Sequence, residues 1–221
     1  MPYTAEHKQR TREKIVAAAR LLFNERGFVD VSIDDVMAEA GLTRGGFYNH
    51  FSNKEDLLLA SVEAYEQCNP ADAWDGVELD YAAEANELAQ QMIRAYLSNE
   101  HLRDVAGHCP LVALPADASR AGPAVRDAYR RLLEKMIYVF AEADGVDEDT
   151  ALALTALCIG AMLIGRTTTD TRFSERMLSA ARGTGTQLLE SCATTPRPRR
   201  RLPKDNRARP RRPASRLESQ D

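Results

Sequence analysis

Apolar residues recur along most of the chain with the 3.6-residue period of an α-helix. No segment of four or more residues alternates apolar and polar positions in the manner of a strand. The first long helical pattern runs from about Lys8 to Arg26, and Gly27 follows it as a ready C-cap. These patterns predict an all-α fold. Further long patterns cover about residues 81–97, 125–140, 150–166 and 174–191, with a broken stretch at about 101–118.

Two short amphipathic helices are predicted after the first long one. Ser32 and Asp35 have the spacing of a capping box, and Gly41 ends this helix after about two turns. Thr43 is placed to cap a second short helix that reaches Phe51. Two short helices joined by a tight turn that contains glycine are typical of the helix-turn-helix motif of DNA-binding proteins.

A longer helix is predicted to follow directly. Ser52 and Glu55 have the spacing of a further capping box. Leu58, Val62 and Tyr65 then recur at helical spacing and indicate the buried face of this helix.

The second short helix presents polar and small side chains outward, while Leu42, Phe47 and Phe51 point inward. Arg44 lies at its N-terminus, where recognition helices meet base edges, and arginine pairs bidentately with guanine. The residues predicted to bind DNA are Thr43, Arg44, Gly45, Tyr48, Asn49, His50 and Lys54.

The segment from Ile15 to Leu59 contains the runs AARLLFNERGF and SIDDVMAEAGLTRGGFYNHFSNKEDLL. In spacing, helix caps and its Phe-Tyr-Asn-His-Phe core, it closely resembles the DNA-binding domain of the tetracycline-repressor (TetR) family of bacterial transcriptional regulators. The resemblance implies a homodimer with two helical domains. Such a dimer represses transcription at a palindromic operator in double-stranded DNA until a small-molecule inducer binds.

The resemblance also divides the predicted DNA-binding residues by role. Thr43, Arg44 and Gly45 match positions that face bases in the family. Gly46 stands where many members carry a small hydroxyl residue or alanine, so one contact of the family is expected to be missing. The positions that match phosphate-contacting residues are Tyr48, His50 and Lys54.

Three segments are predicted: a helix-turn-helix domain over residues 8–66, a ligand-binding and dimerisation domain over 67–193, and a disordered basic tail over 194–221. Proline, glycine and acidic residues at 67–80 indicate a loop at the first boundary. The formal net charge is −4, but the tail has ten Lys/Arg and three Asp/Glu, which gives +7 and leaves −11 for the remainder. A basic tail on an acidic body would attract nucleic acid.

Several classes of protein are excluded by composition. The N-terminus has no apolar run typical of a secretory signal, and the longest uncharged stretch, 16 residues before Arg166, is short for a membrane span of about 20. The four cysteines are too widely spaced for a disulfide framework or a zinc site. We therefore expect a cytoplasmic protein with no metal, no cofactor, no membrane partner and no catalytic residues.

A small-molecule cavity is expected in the larger domain, where aromatic and methionine side chains favour an apolar or aromatic ligand. Cys109 leaves two interpretations open: a small buried core residue, or a reachable thiol that senses an electrophile or oxidant. The second arises because residues 108–114 resemble a segment of one branch of the family, some of whose members sense such compounds through a cysteine. The predicted ligand-binding residues are Leu88, Met92, Tyr96, Cys109, Tyr129, Leu133 and Met136.

The last two long helices are predicted to form the dimer interface, because they offer more apolar surface than a monomer should expose. The sequence thus predicts a ligand-responsive repressor rather than an enzyme. A second interpretation stays open, in which a helical enzyme or scaffold carries an incidental helix-turn-helix-like segment. The predicted interface residues are Leu152, Leu157, Ala161 and Ile164 on the first helix and Met177, Ala181, Leu188 and Leu189 on the second.

Overall fold

The computed structural model describes residues 4–66, 74, 76–107 and 109–194, and within these residues all regular secondary structure is helical. The all-α prediction is confirmed. The predicted tail, apart from Thr194, lies outside the described residues, as do Cys68 and His108. In chain order the helices are α1 (Ala5–Arg26), α2 (Ile33–Glu39), the 3₁₀ helix η1 (Arg44–Asn49), α3 (Lys54–Tyr65), α4 (Ala85–Tyr96), α5 (Asn99–Arg103), α6 (Pro110–Ala113), α7 (Pro115–Arg120), α8 (Pro123–Ala141), α9 (Glu148–Gly165) and α10 (Thr171–Ala193).

Helix α1 ends at Arg26 as predicted but begins at Ala5 rather than at about Lys8, and α2 begins directly after Ser32 as predicted. Gly27 closes α1 with a positive φ of 80°, and its N–H donates to the Phe23 carbonyl at 2.9 Å. The capping box that starts α2 is present, because the Ser32 hydroxyl accepts from the Asp35 N–H while the Asp35 carboxylate accepts from the Ser32 N–H. Gly41 follows α2 with a φ of 68°, a conformation that glycine adopts without steric cost.

The predictions for the next two helix starts are wrong in detail. Thr43 makes no capping hydrogen bond through its side chain, and the segment forms a 3₁₀ helix shorter than the predicted helix to Phe51. The consecutive glycines after Arg44 explain this in part, because glycine costs about 1 kcal/mol relative to alanine in an α-helix. Asn53 caps α3 in place of Ser52, and its side-chain oxygen accepts from the Asp56 N–H at 2.8 Å.

Helix α4 begins four residues later than its pattern predicts. The Asp80 carboxylate accepts from the Ala82 N–H at 2.9 Å, and the Asp80 N–H donates to the Gln91 side chain at 2.8 Å. These bonds hold the residues before Ala85 in a turn, which competes with the helix.

Two groups of buried side chains join into one core. The first fills the space under α1, α2, η1 and α3 and includes Ile15, Phe23, Phe47 and Leu58. The second fills the bundle of α4, α8, α9 and α10. Its largest fully buried members are Ile93, Phe140, Leu154, Met162 and Leu178.

Helix α3 connects the two groups through polar contacts. At its start, the Glu55 carboxylate accepts from the Gly122 N–H in front of α8 at 2.5 Å. At its end, Arg131 and Lys135 of α8 form ion pairs with Glu66 at 3.4 and 3.1 Å. The helix-turn-helix segment is therefore attached to the larger bundle along the whole length of α3.

The outer face of α9 is apolar and Phe173 of α10 is exposed beside it, but only part of the predicted set lies on this surface. Leu152 and Ile164 are exposed by 45% and 46%, whereas Ala161, Ala181 and Leu189 are buried inside the protomer and do not contribute exposed surface. The prediction missed one exposed residue of α9 because that helix is apolar on all sides, so that its periodicity does not distinguish inner from outer faces. It also missed one in the first turn of α10. The missed exposed residues are Leu163 and Phe173.

By length and composition, α9 is the one described helix that could cross a membrane. It reaches the required length because it begins at Glu148, before the uncharged stretch. One of its faces packs in the protein core. The buried residues are Ala151, Leu154, Thr155, Cys158, Ala161, Met162 and Gly165.

Candidate nucleic-acid interface and ligand cavity

The predicted reading face is exposed on a rigid base. Phe47 is fully buried and packs against Phe51, with ring centroids 5.6 Å apart. Tyr48 lies edge-on to Phe47 at 5.2 Å and is 58% exposed. The buried pair fixes which way η1 faces, so that its polar side points to solvent. The exposed predicted residues are Thr43, Arg44, Gly45, Tyr48 and Asn49.

Arg44 stands at the start of η1 and is held from the side by α2. Its guanidinium lies 2.6 Å from the Asp34 carboxylate, and both side chains are more than half exposed. An exposed ion pair of this kind contributes little to stability, so the guanidinium can leave it for a stronger partner.

Lys54 and His50 have contacts that the sequence did not predict. The Lys54 ammonium lies 4.3 Å from the centre of the Phe28 ring and 3.3 Å from the Val29 carbonyl. The burial caused by these contacts lowers the pKa of Lys54. Burial, followed by the positive charges of two α1 side chains, also lowers the pKa of His50, so its imidazole is neutral at pH 7. Among the described residues, the His50 Nδ1 atom has no hydrogen-bond partner.

Sequence reasoning missed the positive charges that α1 brings beside η1. Lys8 and Arg12 are the two residues whose charges act on His50. The Arg12 guanidinium lies 4.7 Å from the centre of the Phe51 ring. Their i, i+4 spacing puts both residues on one face of α1. This spacing is the feature of the sequence that could have predicted a basic face on α1.

A cavity of about 90 Å³ lies between α3, α4, the α5–α6 region and α8. The structure brings Met92, Tyr96, Cys109 and Met136 together in its wall. The prediction missed the majority of the lining. The remaining lining residues are Tyr65, Glu66, Trp74, Leu79, Tyr81, Ala95, His101, Leu111, Leu132, Lys135 and Val139.

Three predicted ligand-binding residues do not line this cavity. On α8 the wall is formed by positions 132, 135, 136 and 139, so Leu133 points about 100° away from it. The Tyr129 hydroxyl donates to the Leu111 carbonyl at 2.9 Å, which holds the ring outside the wall. Leu88 is one turn before Met92 and packs on the edge of the core.

His101 and Trp74 form an aromatic wall. The His101 Nδ1 atom lies 2.7 Å from the Tyr96 carbonyl, which can only accept, so Nδ1 carries the hydrogen. Burial lowers the pKa of His101 to about 4, and the ring is therefore neutral. Its ring stacks on Trp74 at 4.7 Å, and the Trp74 indole N–H donates to Asp104 at 2.8 Å.

Cys109 is 6% exposed, and its thiol faces the cavity between two tyrosines. Burial raises its pKa to about 11, although the Leu111 N–H and the nearby tyrosine hydroxyls act in the opposite direction. The thiol is therefore protonated at neutral pH, and a protonated thiol is a poor nucleophile.

The polar edge of the cavity is formed by Glu66 and Lys135, which pair with each other. Because Tyr65 and Glu66 stand at the end of α3, the helix that follows η1 also contributes to the cavity wall. Among the described residues, no group of three or more His, Cys, Asp or Glu side chains is arranged to hold a metal ion.

Residues 15–61 match the family model described as "Bacterial regulatory proteins, tetR family". This match includes α2, η1 and the first two thirds of α3. Over these residues the chain is similar to the tetR family. The family model and the curated relatives are named as transcriptional regulators, which favours this interpretation over that of a helical enzyme.

The first curated relatives match over less than half of the chain. The chain is 34% identical over 97 residues to the transposon Tn10 TetC protein of Escherichia coli, an alignment that covers 37% of this chain and 49% of that protein. The chain thus spans about half the length of this relative. An uncharacterized HTH-type transcriptional regulator of Mycobacterium tuberculosis is 27% identical over 175 residues, which cover 73% of this chain and 87% of that protein.

A solved tetR-family structure from Cytophaga hutchinsonii has the same fold. It superposes with a TM-score of 0.68 at 19% identity and covers 87% of this chain and 99% of that one. At this identity the likeness concerns the fold alone. It confirms an N-terminal helix-turn-helix domain followed by a larger helical domain.

Proposed function

We propose that this chain is a tetR-family transcriptional repressor that binds a palindromic operator as a homodimer and releases it when a small molecule occupies the cavity. Residues 8–66 are the DNA-binding domain, residues 67–193 bind the ligand and the second subunit, and residues 194–221 are a basic tail. The proposed location is the cytoplasm, where the operator DNA is found.

One observation carries this proposal: η1 exposes a polar face over a buried Phe47–Phe51 pair inside the segment that matches the family. Binding to DNA requires charged or hydrogen-bonding groups, and this face presents Arg44 at the N-terminal end of η1. We assign base contacts to Thr43, Arg44 and Gly45. The proposed phosphate contacts come from Tyr48, Asn49, His50 and Lys54.

The proposed phosphate contacts differ in strength. Tyr48 is exposed and keeps its hydroxyl available, and Lys54 offers an ammonium group whose pKa is lowered by burial. His50 is neutral at pH 7, so it can donate a hydrogen bond but adds no charge. Lys8 and Arg12 on α1 supply positive charge at the same end of η1 and extend the proposed contact to the DNA backbone.

The second subunit is proposed to cover the outer face of α9 and α10. Leu152, Leu163, Ile164 and Phe173 are each between 39% and 46% exposed there. Exposed leucine, isoleucine and phenylalanine grouped on two adjacent helices indicate an interface. A two-fold interface would place two reading helices one or more DNA turns apart, about 34–36 Å for one turn, and thereby match a palindrome.

Release is proposed to pass through α3. The start of α3 follows η1, and its end contributes Tyr65 and the paired Glu66 to the cavity. A ligand that contacts Tyr65 can favour one position of α3 and hence one spacing of the two reading helices. It releases DNA only if it binds the two spacings with different affinity.

A non-covalent ligand is favoured over covalent sensing at Cys109. With a pKa of about 11 and 6% exposure, the thiol has neither the thiolate character nor the access that reactive cysteines show. Electrophile or oxidant sensing by Cys109 therefore stays a prediction of the sequence, and the buried-core interpretation is the better supported one.

DNA binding tests the proposal directly. Fluorescence anisotropy should show that the chain binds DNA from upstream of its own gene more tightly than random DNA of equal length. The matched control is the Arg44→Ala/Tyr48→Phe double variant, which retains Phe47 and Phe51 and should lose the preference while keeping its melting temperature. Equal affinity of the wild type for both DNAs would show that this proposal is wrong.

A further inference from the structure

We infer that the cavity binds a small, uncharged aromatic molecule that carries a hydrogen-bond-accepting oxygen, such as an aryl ketone or aldehyde, held by the hydroxyls of Tyr65 and Tyr96. The inference rests on the proposed function, since it names the chemical class of the inducer. The observations that carry it are the unsatisfied hydroxyls, the balance of charge and the aromatic walls.

Two buried hydroxyl donors face the cavity without a full hydrogen bond. Tyr65 and Tyr96 are each 7% exposed, and both line the cavity. Each hydroxyl approaches the Cys109 thiol, which is a weak partner, and among the described residues neither hydroxyl meets an oxygen or nitrogen acceptor. A buried donor without an acceptor costs about 1–3 kcal/mol, and almost all such groups in folded proteins have a partner. A ligand that brings an acceptor removes this cost.

The groups around these hydroxyls do not supply a strong acceptor. The Cys109 sulfur is a weak acceptor, and it already accepts from the Leu111 N–H. The Glu66 carboxylate is engaged by Arg131 and Lys135 at the cavity edge. An oxygen atom placed between the two tyrosines would therefore accept hydrogen bonds that the wall itself leaves unmade.

The ligand is uncharged because the cavity offers no net charge to an ion. Glu66 and Lys135 neutralise each other, and His101 is neutral. Burial raises the pKa of Tyr65 and of Tyr96, so both remain neutral donors. Arg20 acts on Tyr65 and Cys109 from outside the lining, so a carboxylate or ammonium group in the cavity would lose its hydration without a counter-charge in the wall itself, which is costly.

The aromatic character follows from the walls. Trp74 and His101 stack at 4.7 Å, and the Tyr96 ring meets His101 edge-on at 4.8 Å. Met92 and Met136 complete an apolar lining whose thioethers pack favourably against rings. The volume of about 90 Å³ is below the ~150 Å³ of a cavity that holds benzene, so we expect no more than a single ring, for which the cavity must widen.

Trp74 makes a direct test possible, because it is the only tryptophan in the chain and it lines the cavity. Acetophenone, ethylbenzene and benzoate are titrated into the full-length protein while tryptophan fluorescence is recorded. The free amide of N-acetyltryptophan corrects for absorption by each probe. We expect saturable binding of acetophenone, binding of ethylbenzene about 10- to 30-fold weaker because it lacks the acceptor, and no binding of benzoate.

Phenylalanine variants then test whether the two tyrosine hydroxyls donate to the oxygen of the ligand. The Tyr65→Phe/Tyr96→Phe double variant should lose about 10- to 30-fold in affinity for acetophenone and nothing for ethylbenzene. Tyr129→Phe is the matched control, because this hydroxyl already donates to Leu111 and lies outside the cavity wall. It should leave both affinities unchanged. If the double variant melts early, the two single variants provide the same comparison.

The inference is overturned if acetophenone fails to bind, if ethylbenzene binds equally well, or if the double variant retains the preference for acetophenone. These titrations contain no DNA, so they separate the inference from the proposed function. Saturable binding of acetophenone to a chain that does not recognise DNA would contradict the repressor proposal and leave the ligand class intact. Specific DNA binding without acetophenone binding would contradict the ligand class and leave the repressor proposal intact.

Discussion

Arg44 is positioned by its neighbour before any DNA is present. The Asp34 carboxylate holds the guanidinium at 2.6 Å at the leading end of η1, and the pair is exposed, so exchange for a guanine edge costs little. A bidentate contact from arginine to guanine discriminates between bases, whereas a lysine contact to phosphate does not. Arg44 and Lys54 are therefore expected to contribute in different ways.

We predict that Arg44→Ala weakens operator binding by about 1–3 kcal/mol and relaxes the preference at one operator position. Lys54→Ala should instead weaken binding to all DNA alike and reduce the salt dependence by about one ion. Anisotropy titrations against operator and random DNA at several salt concentrations measure both effects. An unchanged ratio of operator to random affinity in Arg44→Ala would contradict the assignment of this residue as a base reader.

Cys109 and Cys192 provide a comparison of thiols within one chain. Cys109 is buried with a pKa raised to about 11, whereas Cys192 near the end of α10 is only half-buried. Because the thiolate is the reactive form, modification of Cys109 should be slow at pH 7.5 and should accelerate as the pH rises toward 11. Reactive alkylating agents should therefore discriminate between these two positions.

We predict that iodoacetamide labels Cys192 at pH 7.5 while Cys109 remains unlabelled, as measured by mass spectrometry of peptides at timed intervals. A cavity ligand should slow the labelling of Cys109 further and leave Cys192 unaffected. Labelling of Cys109 at the rate of Cys192 would restore the hypothesis that this thiol is a sensor. Quinone release of operator DNA from the wild type, but not from Cys109→Ser, would then be expected.

At the scale of helices, the sequence and the structure differ in the residue that caps α3. Two adjacent polar residues precede this helix, and Ser52 has the better capping-box spacing. The structure uses Asn53, because Glu55, the partner that Ser52 would need, is turned to the Gly122 N–H of the other domain. A long-range contact thus decides a local cap.

We predict that Asn53→Ala lowers the free energy of unfolding by about 1 kcal/mol, the usual cost of removing a cap. Ser52→Ala is the matched control and should have almost no effect, since only the backbone N–H of Ser52 takes part, at 3.2 Å from Asp56. Urea unfolding followed by circular dichroism measures both. A larger effect of Ser52→Ala would show that the helix begins one residue earlier.

Periodicity predicted the parts of this molecule that depend on neighbours in sequence. The reading face follows from Phe47 and Phe51, which recur at i, i+4, and the first two helix ends follow from Gly27 and the Ser32 box. The cavity was only partly predictable. Its wall joins Tyr65 and Trp74 to residues of α4 and α8, and no local pattern encodes which helices meet. On α8 the prediction assigned Leu133 to the cavity wall, whereas the structure has Leu132 there.

At the scale of the whole molecule, the exposed apolar residues of α9 and the start of α10 form the proposed interface with a second subunit. We predict that Leu163→Glu/Ile164→Glu converts a dimer into a monomer in sedimentation velocity and abolishes tight operator binding, because two linked reading helices bind more tightly than one. Ala116→Glu, a change at an exposed residue of α7, is the matched control and should leave the dimer intact. Wild-type protein that sediments as a monomer at micromolar concentration would contradict this prediction.

The basic tail gives the whole molecule a second way to approach DNA. Residues 194–221 carry +7 while the rest carries −11, so without the tail the body repels a polyanion at long range. We predict that truncation after Thr194 lowers the affinity for random DNA and flattens its salt dependence, because fewer counterions are released, while the melting temperature stays unchanged. A chain of full length whose ten tail Lys/Arg are replaced by Gln controls for length and should behave like the truncation. Anisotropy with random DNA between 50 and 200 mM salt, about the range over which such contacts weaken, measures the slope. If truncation leaves that slope unchanged, the tail does not contact phosphates, and affinity for random DNA then comes from the η1 face and the α1 cations alone.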